Sequence, residues 1–361
     1  MANTTVASGN VNTRHLAQVF REYVGDNRFS RYMGSTANSI IHTKEERVTG
    51  RQKISIPLLT RLKGAASVGS TTLRGTGENI GNYAWELTPT YRRHAVEFDK
   101  EELDKPNFDM FREARPLLMT WAMEDLRDQV IDAMAAVYNG TTYSEIDATT
   151  AAVRNTWNAN NSDRVLYGAA VSNYNATFAT ALATIDSTAD KLDRDIVSLL
   201  ATRAKEADPH IRPVRVTEDE EYFVLFVGSR SMRHLRTDLE TLHSNAMPRS
   251  ATGNPLWKAG DLMWENVIIR EVPEITTQYT DNAASLFNTA GDTSSKVEPI
   301  FLCGAQALGW AIGRRPGIIT DRLYDFEFQP GIAVEKKEDV RKMFFNNVQH
   351  GVVSGFVSGE V

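Results

Sequence analysis

Seven histidines, at positions 15, 42, 94, 210, 234, 243 and 350, are the first residues to weigh for chemistry in this 361-residue chain. An imidazole can ligate zinc or carry a proton, but both tasks need partners at fixed spacing, such as two histidines one helical turn apart around a glutamate. No such pair occurs, so no metal site and no cofactor is expected. A serine nucleophile would need a glycine-flanked strand-to-helix elbow, and none is present. The single cysteine, Cys303, excludes an internal disulfide. It sits in an apolar run with no base beside it, which reads as a buried small hydrophobe. Carboxylates crowd at Glu218, Asp219, Glu220 and Glu221. They lack the alternating ligands and turn glycine of a calcium loop, so a solvated turn is expected.

The stretch KGAASVGSTTLRGTGENIG over residues 63–81 invites comparison with a phosphate-binding loop. Such a loop needs a third glycine or a Gly-Lys-Ser/Thr at set distance and a helix starting behind it. Neither condition holds. No catalytic residue is identified, and the chain is not expected to be an enzyme. A cytosolic α/β enzyme assembled from scattered residues remains an alternative.

Composition narrows the classes further. Hydrophobic residues make up 42% and charged residues 24%, the balance of a soluble globular protein. A net charge of −6 opposes a dedicated nucleic-acid binder, which needs clustered Lys and Arg. The N-terminus lacks a basic start and apolar core, so no signal peptide is expected. Apolar runs such as residues 222–227 are too short to span a bilayer, so no membrane association is expected and synthesis in the cytosol is implied.

The elements that could position anything are few and long. Residues 116–138 place Met119, Met123, Leu126, Val130, Ala133 and Val137 along one side of a helix, with Glu124, Asp128 and Asp132 opposite. Pro116 suits its first turn and Asn139-Gly140 its stop. Such a helix spans roughly 33 Å at 1.5 Å per residue and needs a broad apolar partner. Before it, residues 48–59 and 83–98 read as the two strands of a ribbon, joined by the glycine-rich tip with almost no large apolar residues. A two-stranded ribbon is marginal alone in water.

The first 44 residues are polar. They hold one short amphipathic piece (Leu16, Val19, Phe20, Tyr23) and scattered Arg14, Arg21, Arg28 and Arg31. They cannot build a core and read as an arm. Residues 141–163 look loop-like. A second amphipathic helix is expected over 190–207, ended by Pro209 and Pro213. Residues 222–228 form a buried strand, 229–239 a helix, 262–272 a strand and 281–295 a surface loop. Residues 300–312 read as strand, turn, strand, with further strands over 323–328 and 332–335. The class is α+β.

Four stretches in this order resemble the major capsid proteins of tailed bacteriophages, of the podophage coat type. They are NRFSRYMGSTANSII (27–41) with KISIPLL (53–59); KGAASVGSTTLRGTGENI (63–80); NSDRVLYG (161–168); and FVLFVGSRSMRHLRTD with GNPLWKAGDLMWENVIIREVPEI and IFLCGAQALGWAIG. The resemblance implies the fold shared by phage, herpesvirus and encapsulin shells. Its parts would be an N-terminal arm (1–44), an extended β-hairpin loop (45–100), a peripheral domain with the spine helix (101–186), an axial domain (187–315) and a return to the peripheral domain (316–361). The implied function is structural: hexamers and pentamers of an icosahedral shell around double-stranded DNA, assembled in the bacterial cytoplasm. An encapsulin-like compartment is the alternative within that fold.

Inter-subunit contact is then expected at the loop tip, through Lys63, Gly64, Gly69, Arg74, Gly75, Gly77 and Gly81. Met119, Met123, Leu126, Val130 and Val137 would be the core of the spine helix. Only about 40 residues precede the recognised region. That is too few for the built-in scaffolding segment of some relatives, so a separate scaffolding protein is implied, with portal and decoration proteins as further partners. DNA contact should be weak and independent of sequence. Some relatives weld subunits through a loop lysine and an asparagine beside an acid. Lys63 lies on the ribbon, but no asparagine and acid match, so that chemistry is not carried over.

Overall fold

Left-handed turns and prolines, more than changes in hydrophobicity, decide where the strands of this chain stop. Glu265 and Asn266 both take positive φ (44° and 64°), which folds the single strand expected over 262–272 into a hairpin. Pro89 does the same to the expected return strand over 83–98, which becomes two strands. The computed structural model describes residues 28–46, 53–70, 72–75, 77–103, 109–215, 221–245, 257–258, 261–321 and 328–360. The amphipathic piece around Leu16 to Tyr23, Arg14, Arg21 and residues 323–327 of the strand expected over 323–328 lie outside the described residues.

In chain order the principal elements begin with β1 (Ile41–Glu45), β2 (Ile54–Leu59), β3 (Asn82–Leu87), β4 (Thr90–Glu97), α1 (Met110–Ala135), α2 (Ala151–Asn160) and β5 (Val165–Tyr167). There follow α3 (Arg194–Glu206), β6 (Glu221–Val227), α4 (Ser229–Asn245), β7 (Asp261–Trp264), β8 (Val267–Glu271), β9 (Val297–Cys303), β10 (Leu308–Asp321), β11 (Gly331–Lys342) and β12 (Val352–Ser358). The chain divides into two compact units. The smaller holds Thr90–Leu126 and Arg314–Lys337; the larger holds Arg28–Pro89, Arg127–Gly313 and Glu338–Val361.

The larger unit is built on a sheet ordered β7-β8-β6-β9-β12-β5. Its centre pairs β9 with β12 antiparallel, from Val297 opposite Ser358 to Cys303 opposite Val352. Every residue of both strands is buried. One face carries Leu225, Val227, Ile300, Leu302 and Val353, packed with Ile196, Val197 and Leu200 of α3 and Met232, Leu235 and Leu239 of α4. Helix α3 starts where Asp193 accepts the Ile196 amide at 2.8 Å, satisfying one of the amides that a helix start leaves unpaired. Near β12 aromatic rings stack: Phe356 lies 5.2 Å from Tyr167 and 5.7 Å from Phe287.

Residues 141–163 are not a plain loop. They contain α2, whose Trp157 is buried beside Phe178, and Asn158 accepts the Tyr167 hydroxyl at 2.8 Å. Its three asparagines disfavour a helix and its three alanines favour one, so propensity alone does not decide the segment and tertiary packing does. Likewise Phe287 and Ser285, in the expected surface loop over 281–295, are buried.

In the smaller unit, Ala114, Leu118 and Ala122 of α1 pack on Ile332 and Val334 of β11, with Val96, Phe98 and Trp121 at the margin. This corrects the expected stripe on two counts. The helix begins at Met110, with Pro116 inside it. Met119 and Met123 are 37% and 45% exposed, so they are not core residues of the single chain. The reason is a rotation of one residue, about 100°: Leu118 and Ala122 share the same four-residue spacing, and the small Ala122 and Ala114 permit the close approach of the strand. Farther along, Leu126 is half-buried and Val130 fully buried. Val137 is also buried, but within the short strand Ala136–Tyr138 that follows the helix.

Candidate inter-subunit contact surface

The ribbon is the segment whose residue types and positions are hardest to explain within one subunit. Strands β2 and β3 pair antiparallel in six rungs, from Ile54 opposite Leu87 to Leu59 opposite Asn82. At the base Ile54, Trp85 and Leu87 are buried, and Trp85 meets the rings of Tyr138 and Tyr143 edge-on. One more rung, the Thr60 amide donating to the Gly81 carbonyl at 2.9 Å, closes the ladder. From Leu59 outward the burial reverses. Leu59, Leu62, Val68, Leu73 and Ile80 are all exposed, Val68 to 80% and Leu73 to 74%. The tip does carry large apolar side chains, and none of these is used to build the subunit's core.

The glycines differ in what they do. Gly69 and Gly75 have φ of 72° and 93°, the left-handed region that other residues enter at a cost. At Gly64 and Gly81 a Cβ would meet the Glu78 carboxylate at 2.9 Å and the Thr60 hydroxyl at 2.5 Å. Gly77 has open space around the position of a Cβ. Arg74 is exposed. The Glu78 carboxylate accepts the amides of Lys63 (2.8 and 2.9 Å) and Gly64 (2.6 Å), and these bonds hold its pKa below the usual carboxylate range. Lys63 reaches the body of its own unit: its ammonium lies 2.7 and 2.9 Å from the two oxygens of Asp208. Neither Glu78 nor Asp208 was marked by the sequence. Leu62, Val68, Leu73 and Ile80 scattered through a glycine-rich stretch were a signal available to it.

The smaller unit has an apolar surface of its own. A cavity of about 360 Å³ opens among His94, Val96, Phe98, Met110, Leu117 and Trp121. His94 stacks on Trp121 with ring centroids 4.8 Å apart. Around the same unit Tyr91, Leu117, Ile318, Ile319 and Phe328 are exposed. Apolar patches of this kind mark association surfaces.

The residues first weighed for chemistry are placed otherwise. Cys303 is fully buried and burial pushes its thiol up to about 12, so it is no nucleophile at neutral pH. His350 is lowered to about 4 and Lys342 to about 7, both chiefly by burial. Glu298 is buried beneath the start of α4; burial raises its pKa, while the amide and hydroxyl of Ser231 and the hydroxyl of Thr276 donate to it. Among the described residues no group of histidine, cysteine and carboxylate side chains could hold a metal ion. Among them, too, no helix is long and apolar enough to cross a membrane.

The profile of a phage capsid protein family matches residues 3–355. The capsid chain of cyanophage Pam1 is 34% identical, with a TM-score of 0.89 over 99% of each chain. The capsid of Ralstonia phage GP4 is 20% identical, with a TM-score of 0.73 over 100% of this chain and 99% of its own. The SrpI encapsulin of Synechococcus elongatus shares the fold alone, at 8% identity and a TM-score of 0.50 over 97% of this chain and 93% of its own. No curated protein sequence matches.

Proposed function

The chain belongs to the phage capsid protein family, and from that premise we propose that its extended loop is the part that reaches a neighbouring subunit when the shell forms. The protein is a structural major capsid protein with the tailed-phage capsid fold. The observation that carries the loop assignment is the run of exposed apolar residues from Leu59 to Ile80 on a segment whose own core ends at Trp85 and Ile54. Exposed apolar area of that kind gains free energy only when another surface covers it.

Under this reading residues 45–100 are the extended loop, 101–186 and 316–361 the peripheral domain, 187–315 the axial domain and 1–44 the arm. Copies of the chain associate as hexamers and pentamers in the host cytoplasm, with a separate scaffolding protein, a portal and decoration proteins. The shell encloses double-stranded DNA without reading its sequence. The chain's net charge of −6 suits a wall that does not grip its contents. Gly69 and Gly75 shape the tip and Arg74 contacts the neighbour. Lys63, Gly64, Gly77 and Gly81 belong to the same tip and lie against that neighbour. Met119 and Met123, exposed on one chain, are covered in the shell.

Negative-stain electron microscopy of the purified full-length protein tests the reading. Closed shells or ring-shaped capsomers are expected, and particles that stay monomeric at every concentration and salt would contradict it.

A further inference from the structure

The ladder of the ribbon ends at Thr60 and Gly81, and beyond that point the loop must be held in some direction or swing about its base. Between the base and the body lies a cavity of about 580 Å³, lined by Leu58, Tyr83, Phe345 and Val348, so close packing does not fill the space beneath it. Charge spans it instead. Lys63 sits on both oxygens of Asp208, and Arg61 stands 3.8 Å from one of them. Asp208 is 145 residues away in the chain from Lys63.

Asp208 is itself well anchored. Its amide donates to Asp163 at 3.0 Å, and the carbonyl of the adjoining Pro209 accepts from Arg164 at 2.6 Å. Arg164 is fully buried and also donates to the Gln349 carbonyl. The hydrogen bond and charge of Lys63, with the charges of Arg61 and His210, hold the Asp208 carboxyl below the usual range, so it is ionised at neutral pH. On the loop side, Glu78 ties the amides of Lys63 and Gly64, which makes the tip move with the lysine backbone.

We propose that Asp208 is a positioning residue for shell assembly: through Lys63 and Arg61 it straps the extended loop to its own subunit and sets the direction in which Leu62, Val68 and Leu73 are presented. The inference rests on the loop being an inter-subunit contact and assigns Lys63 a different task from touching the neighbour. Lys63, Arg61 and Asp208 are all more than half exposed, so the strap adds little to the stability of the subunit. Its effect is on orientation. A modest bias per subunit is repeated at every interface of a closed shell.

The test uses the unassembled full-length subunit and trypsin cleavage after Arg74, followed by mass spectrometry. Asp208→Asn should leave the circular dichroism spectrum unchanged and accelerate cleavage roughly two- to five-fold at low salt, the range that an exposed ion pair can hold. High salt should bring the wild-type rate up to that of the variant, and Asp208→Glu should restore protection. Assembly of Asp208→Asn should then yield fewer closed shells by electron microscopy. Cleavage that ignores both the substitution and salt overturns the strap even if the loop contacts its neighbour. Faster cleavage with a normal yield of shells overturns the positioning role. Normal shells from a chain with no loop tip would instead refute the loop assignment.

Discussion

Strand β9 and the extended loop use the same kinds of residue to opposite ends. β9 buries all seven of its side chains and pairs on both edges, with β6 and with β12. The loop carries leucine, isoleucine and valine more sparsely at its far end, leaves them in solvent, and its strands ladder with each other. In β9 apolar area stabilises the subunit. In the loop it lies in solvent and would stabilise only if another surface covered it. On the proposed reading folding and assembly fall to separate stretches of one chain, and the two can be perturbed separately.

The comparison is tested most severely on the core side. Phe356, stacked between Tyr167 and Phe287 and only 1% exposed, should lose about 3–5 kcal/mol of unfolding free energy on Phe356→Ala. A urea titration measures this; a loss below about 1 kcal/mol would mean that the sheet is not the stabilising core. Acid gives the next effect. Burial and the charge of Arg164 hold folded His350 at about 4, against an ordinary value of 6.5. Because the folded value is the lower one, stability is full above pH 6.5 and is lost as pH falls from there through 4. The loss should reach about 2–3 kcal/mol. Unfolding titrations at pH 7 and 4 should show that loss in the wild type and markedly less of it in His350→Gln. The smallest effect belongs to the loop: Leu73→Ser should change unfolding free energy by less than about 0.5 kcal/mol while lowering the yield of shells seen by microscopy.

How much of this was legible in the sequence depended on range. Residues 222–228 and 300–312 announced their strands because continuous apolar runs between turn signals have few other outcomes. The ribbon was legible because a glycine-rich connection separates two alternating segments. Met119 and Met123 were misassigned for a local reason: periodicity gives the spacing of a stripe, but two stripes one residue apart satisfy it equally, and only the alanines facing Ile332 and Val334 select between them. The helix Ala151–Asn160 was hidden because its packing on Phe178 and Tyr167, not its propensity, makes it helical. Asp208 was beyond reach. Nothing local distinguishes it from the other surface acids, and its partner is 145 residues away.

The central claim, that the loop serves assembly and not folding, is tested most directly by replacing residues 64–81 with an Asn-Gly turn and imaging the product beside the wild type. The account predicts a soluble subunit with an unchanged circular dichroism spectrum and an unfolding free energy within about 1 kcal/mol of wild type, since shortening a loop alters closure entropy only slightly. It predicts no complete shells in the micrographs. Normal shells from the shortened chain would contradict it.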